Sequence, residues 1–211
     1  MKVTVVDYGR SNLLSVRRAL EYCGGQVEFA QNPTEIKQAS ALVLPGVGAF
    51  ADGMAMLKHT GLDQAIVQQA GQGVPLLGIC LGMQMLFEQS SEGGISKGLG
   101  ILQGTVEKLP AYGVDGQPLK CPQVGWSMLH LLPAAQTSIL KDLTPSGQAY
   151  FVHSYHAMPK NESDKVACVF YGGHPVCASV QRGNVMGVQF HPEKSGEVGL
   201  SILRAFLQFC E

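Results

Sequence analysis

The stretch Val74-Pro75-Leu76-Leu77-Gly78-Ile79-Cys80-Leu81-Gly82-Met83-Gln84 constrains the fold of this chain more than any other. A short apolar run enters G-x-C-x-G and leaves with helical spacing, which is the thiol form of a nucleophile elbow. Such a turn needs a buried strand on one side and a helix on the other. It also needs glycines two residues to either side of the cysteine, so that the backbones can pass. The thiol is then held at the carboxyl edge of a sheet.

The first half of the chain agrees with that demand. Lys2 to Val6 is a β-branched run stopping at Asp7-Tyr8-Gly9, and from Asn12 the apolar spacing Leu13, Val16, Leu20 is helical. Val27 to Ala30 and Ala41 to Leu44 read as further strands, with Asn32-Pro33-Thr34 capping a short helix between them. After Pro45-Gly46-Val47-Gly48 a helical stretch runs through Met54, Leu57, Leu62, Ile66 and Ala70. Val74 to Leu77 reads as a strand broken at Gly78, followed by a helix from Leu81 to Phe87. The alternation predicts an α/β fold, with a mostly parallel central sheet and helices on both faces.

From Gly98 onward the pattern changes. Ile101 to Val106, Tyr150 to Val152, Val166 to Phe170, Val176 to Val180 and Val185 to Gln189 are strand-like pieces between turn-rich connections. They predict antiparallel additions to the sheet in the second half. Glu197 to Phe209 closes the chain as an amphipathic helix. With 211 residues and no repeat or linker, a single domain over 1–211 is expected.

Charge narrows the function classes. Fifteen Lys and Arg against sixteen Asp and Glu, with no basic run, lack the electrostatic footprint of a nucleic-acid binder. The uncharged stretch between Asp63 and Glu88 is interrupted by five glutamines, Gly71, Gly73 and Pro75, so it is no membrane span. The N-terminus has no signal-peptide core, and a cytoplasmic protein is expected. The six cysteines form no C-x-x-C pair, which argues against a structural metal or a disulfide framework.

A thiol nucleophile needs a base and a group to orient it. In His191-Pro192-Glu193 the proline biases the histidine toward an extended conformation. Residues two apart then share a face, so Glu193 can align the imidazole of His191 while its other nitrogen meets Cys80. His59, His130 and His174 read as solvated, whereas His153 and His156 flank Ser154-Tyr155 after a strand. Acyl chemistry further requires oxyanion donors: the backbone N–H of Leu81, beside the nucleophile, and the turn Gly46-Val47-Gly48 are the candidates. The helix that follows Cys80 is expected to favour the thiolate through its N-terminus.

Gly78-Ile79-Cys80-Leu81-Gly82-Met83-Gln84 with His191-Pro192-Glu193 resembles the class I, or triad, glutamine amidotransferases. Asp7-Tyr8-Gly9, Asn12-Leu13, Pro45-Gly46-Val47-Gly48-Ala49-Phe50, Phe151-Val152-His153-Ser154-Tyr155 and Pro192-Glu193-Lys194-Ser195 extend the likeness to the glutaminase subunits of imidazole glycerol phosphate synthases, over essentially the whole chain. The resemblance implies that Cys80 is the nucleophile, His191 the acid and base, and Glu193 its partner. Gln84, Ser154 and Tyr155 match positions around the bound glutamine. Asn12, Trp126 and Lys194 match positions facing a β/α-barrel cyclase subunit that receives the ammonia in a heterodimer. It implies no cofactor and no metal. The chain departs from the family at Gln123 and Ser127, where a histidine and an asparagine are common.

Two other functions share these residues. One is a stand-alone cysteine hydrolase for γ-glutamyl compounds; the other is the same glutaminase serving a barrel synthase with a different acceptor. A non-catalytic glutamine-binding module is disfavoured by the intact Cys80, His191 and Glu193.

Overall fold

The computed structural model describes residues 1–9, 12–143 and 147–211. The first half alternates as expected: β1 (Lys2–Val6), α1 (Leu13–Tyr22), β2 (Gln26–Ala30), α2 (Pro33–Lys37), β3 (Leu42–Gly46), α3 (Phe50–Thr60), α4 (Leu62–Gly71), β4 (Leu76–Cys80) and α5 (Leu81–Met85). The second half contains β5 (Gln89–Ser90), β6 (Ser96–Lys97), β7 (Gly104–Lys108), β8 (Gln123–Met128), β9 (His130–Leu131), β10 (Gln148–His153), β11 (Tyr155–Pro159), β12 (Lys165–Tyr171), β13 (His174–Arg182), β14 (Val185–Val188) and α6 (Gly196–Phe209).

The main sheet has eight strands in the order β2-β1-β3-β4-β14-β13-β12-β9. The first five are mutually parallel, and β13, β12 and β9 extend it antiparallel. Side chains alternate across it as a pleated strand requires. Val3, Val5, Val43, Leu77 and Ile79 join Val16 and Leu20 of α1 and Ile202 and Phe206 of α6 in one buried cluster. Val6, Leu42, Leu44 and Leu76 join Met54, Leu57 and Ile66 of α3 and α4 in the other. Helices therefore cover both faces. Among the described residues no helix is long and apolar enough to cross a membrane.

Three local expectations change. The helical stretch after Gly48 is two helices, because Gly61 takes φ +71° and closes α3 with a left-handed cap. Strand β4 is not broken at Gly78 but runs on to Cys80, pairing with β3 on one side and β14 on the other. Not all the later strands add to the central sheet: β8 and β10 form a separate two-stranded ribbon, and β11-β7-β5-β6 a four-stranded sheet.

The layout places one edge of the sheet at the disposal of chemistry. Parallel neighbours β3, β4 and β14 all end on the same side, with Gly46 opposite Cys80 and Val188 opposite Ile79. Whatever follows β14 is thereby delivered beside the cysteine. His191 follows it by three residues.

Candidate active site

Cys80 sits where β4 meets α5 with φ +55° and ψ −111°, the one positive-φ residue other than glycine among the described residues. A non-glycine residue held there costs of order 1–3 kcal/mol and persists only where its surroundings enforce it. The enforcement is visible at Gly82, where any Cβ would land on the carbonyl oxygen of Leu44 in β3. The absence of a side chain there lets α5 lie against β3, and that contact bends the chain sharply at the thiol. Because α5 is only five residues long, the helix dipole at the elbow is small.

His191 and Glu193 are brought together as the spacing anticipated. His191 Nδ1 lies 2.8 Å from Glu193 Oε1, and both side chains are almost wholly buried. The histidine backbone N–H donates to Tyr150 O at 3.0 Å, which ties the segment to β10. Its Nε2 is buried without a conventional hydrogen-bond partner, which leaves it for the sulfur of Cys80. Burial works to lower the imidazole pKa, but the contacts with Cys80 and Glu193 outweigh it and push the value up to about 10. The protonated ring is thus favoured by its two neighbours, the Cys80 sulfur and the Glu193 carboxylate, against the cost of burying its charge.

A cavity of ≈ 280 Å³ opens on the pair, with Val47, Gly48, Cys80, Leu81, Gln84, Ser154, Tyr155 and His191 in its wall. Gly46 lies just behind, as the register partner of Cys80. Leu81 opens α5, and the first N–H groups of a helix have no intrahelical acceptor. Gln84 is engaged more than expected: its Nε2 donates to Tyr155 O at 2.8 Å and to Gln189 Oε1 at 3.0 Å, leaving only its oxygen for a ligand.

Two residues in this region escaped the sequence reading. Glu92 lines the cavity and accepts from the Phe50 N–H at 2.7 Å, so one oxygen caps α3 while the carboxylate's charge faces the pocket. Its loop, Ser90-Ser91-Glu92-Gly93-Gly94, carries no motif that would single it out. Gln189 is fully buried directly after β14. A polar residue ending an apolar strand was the available signal.

The residues expected to face a partner lie outside the cavity, on its flank. Asn12 and Lys194 are exposed and Trp126 is 54% exposed. They stand on or beside α1, the turn at Pro192–Lys194 and the β8–β10 ribbon, which pack on one another in series. The departures at Gln123 and Ser127 fall on the ribbon's inner side, where Gln123 Nε2 donates to Ser127 Oγ at 3.1 Å, while Val124 and Trp126 face outward.

A second histidine in the cavity wall titrates in the opposite sense. Burial lowers the pKa of His153 to about 4 despite its contact with Tyr155 O, 2.9 Å from Nδ1. Neutral His153 therefore donates from Nδ1. An unfolded chain binds this proton near pH 6.5 and the folded one near 4, so stability rises with pH through that window. The contribution is complete above about pH 6.5 and lost on acidification, amounting to about 3 kcal/mol. His156, also lowered by burial, acts in the same direction. Urea titrations from pH 7 to pH 4 are expected to show a shallower loss of stability in His153→Asn than in wild type. Identical pH slopes would contradict the assignment.

Comparison with known proteins places the chain in a family. The pattern of the family "Glutamine amidotransferase class-I" matches residues 4–209. The imidazole glycerol phosphate synthase subunit HisH 1 of Legionella pneumophila strain Lens is 47% identical over 209 residues, covering 98% of each chain. HisH of Bacillus licheniformis is 47% identical over 211 residues, covering 99% of this chain and 97% of its own. Among solved structures, PurLQS from Thermotoga maritima superposes with a TM-score of 0.75 at 19% identity, covering 100% of this chain and 99% of the other, which speaks for the fold alone. The chain belongs to the class-I glutamine amidotransferases and, within them, to the HisH family.

Proposed function

We propose that the chain, residues 1–211 acting as one glutaminase domain, hydrolyses glutamine to glutamate and ammonia as the HisH subunit of an imidazole glycerol phosphate synthase in histidine biosynthesis. The carrying observation is Cys80 on a strained elbow beside the buried His191–Glu193 pair, in a chain 47% identical to HisH subunits along its length. The partner in this reading is a β/α-barrel cyclase in the cytoplasm, which takes the ammonia and releases imidazole glycerol phosphate with an aminoimidazole ribotide.

The chemistry follows from the site. Glutamine enters with its side-chain amide toward Cys80 and its charged end among Ser154, Tyr155, Gln84 and Glu92, the carboxylate of Glu92 attracting the ammonium group. The Cys80 thiolate attacks the amide carbon, and the charge moves to the carbonyl oxygen, facing the N–H groups of Leu81 and the Gly46-Val47-Gly48 turn. His191 then protonates the nitrogen, the C–N bond breaks, and ammonia leaves a γ-glutamyl thioester. Neutral His191, still aligned by Glu193, takes a proton from water. The resulting hydroxide adds to the thioester, and the C–S bond breaks to give glutamate and the thiolate–imidazolium pair.

Ammonia released without an acceptor is wasted, so the free subunit is expected to be slow. The turn at Gly46-Val47-Gly48 is the element able to gate it, because one missing oxyanion donor costs about 10²- to 10³-fold. Docking through Asn12, Trp126 and Lys194, on elements that adjoin the site, can bias that turn by differential binding. Glutamate release is to be measured for the isolated chain, for its complex with a barrel cyclase, and for the complex with the cyclase's nucleotide substrate. A rise of about a hundredfold or more, mostly in kcat, is expected. Equal rates in all three would overturn the subunit reading in favour of a stand-alone γ-glutamyl hydrolase.

A further inference from the structure

The structure assigns Gln189 a further catalytic role, as a fixed amide donor to the Cys80 sulfur. The inference rests on Cys80 being the nucleophile. Gln189 Nε2 lies 3.8 Å from Cys80 Sγ, a length suited to a bulky sulfur acceptor, and the side chain is fully buried. Which end of this amide faces the sulfur follows from its neighbours. Both hydrogens of Gln84 Nε2 are committed, one to the carbonyl of Tyr155 and one to Gln189 Oε1. Reversing Gln84 would set its oxygen against two acceptors, so its orientation is determined. With Gln189 Oε1 thereby taken, only its NH₂ is left to face Cys80.

The chain of contacts runs from Tyr155 in the cavity wall through Gln84 and Gln189 to the thiol. A buried donor aimed at sulfur favours the atom when it carries charge, and such hydrogen bonds to charged groups are the stronger ones. The thiolate is charged twice in the proposed cycle, before attack on the amide and again when it departs from the tetrahedral intermediate. The thioester sulfur between those stages is a poor acceptor. Gln189 therefore supports the nucleophile and the leaving group, and it does so without adding a charge that would compete with His191 for the proton.

A purely structural alternative is that Gln189 only satisfies the buried amide of Gln84. Iodoacetamide separates the two without any glutamine, since it alkylates the thiolate. The full-length protein, Gln189→Met and Gln189→Glu are labelled at pH 7 and at pH 9.5, with the rate at Cys80 read by peptide mass mapping against the other five cysteines. The expected result is a rate at pH 7 about tenfold lower in Gln189→Met, which converges with wild type at pH 9.5, and lower still in Gln189→Glu, whose carboxylate keeps it slow at both pH values. Unchanged rates at pH 7, or equal slowing of Gln189→Met at both pH values, would overturn the proposal. If neither variant folds, Gln84→Met decides it: Gln189 stays but loses its orientation, and a labelling rate equal to wild type at pH 7 is the overturning result. Should wild-type Cys80 react no faster than the other cysteines, the nucleophile assignment fails and this inference with it.

Discussion

Cys80→Ala is expected to lower glutamine hydrolysis by at least about three orders of magnitude while leaving the fold intact, since deleting a covalent nucleophile removes the step on which its partners act. The substitution takes away one sulfur atom from a site where the backbone is set by neighbours, not by the thiol. Alanine shares the penalty for φ +55°, so the melting temperature should stay close to that of wild type. Cys80→Gly separates the two effects further. Glycine occupies positive φ without strain, and relief of about 1 kcal/mol should raise the melting temperature by roughly 2–4 °C in an equally inactive protein. Retention of more than about a tenth of the activity by Cys80→Ala would show that another group forms the covalent bond.

Gly82→Ala is expected to be severely damaging for the addition of a single methyl group. The added Cβ would meet the Leu44 carbonyl, a backbone atom of a central strand paired on both edges, and neither partner can yield alone. Either α5 lifts off β3 or the elbow opens, and overpacking of this kind costs about 3 kcal/mol or more. For a chain of this size that corresponds to a fall of roughly 6–12 °C in melting temperature. Activity should fall further than stability, because the elbow is what aims Cys80. Gly71→Ala is the control, since a Cβ at the end of α4 meets nothing within 4 Å. A melting temperature for Gly82→Ala matching that of Gly71→Ala would mean that the contact does not shape the turn.

The parts of this protein that could be read in one dimension are those whose chemistry is local. The elbow announces itself because its strand, its glycines, its cysteine and its helix are consecutive, and His191 and Glu193 are two residues apart. Their meeting with Cys80 could be argued because all three needed the same carboxyl edge. The contacts of Gln189 and Glu92 were not legible for the opposite reason: their partners, Cys80 and Phe50, lie 109 and 42 positions away. Strand β8 was passed over because Val124 and Trp126 face outward on the ribbon while Gln123 is the buried member. Its alternation is inverted relative to an ordinary half-buried strand, so the apolar positions mark an exposed face and not the core. The separate ribbon followed from that omission, since β10 lost its partner, and the four-stranded sheet was missed because β5 and β6 are two residues each and β11 was not read as a strand.

The central claim is that glutamine is opened by Cys80 and by no other group. A chloroketone analogue of glutamine tests it, because it seats as substrate and alkylates whichever nucleophile faces the amide position. Incubation of the complex with limiting analogue, followed by peptide mapping and residual glutaminase assay, is expected to place one label on Cys80 per active site. Activity should be lost in proportion, and excess glutamine should protect. Inactivation with the label on another residue, or undiminished turnover in protein fully labelled at Cys80, would contradict the account.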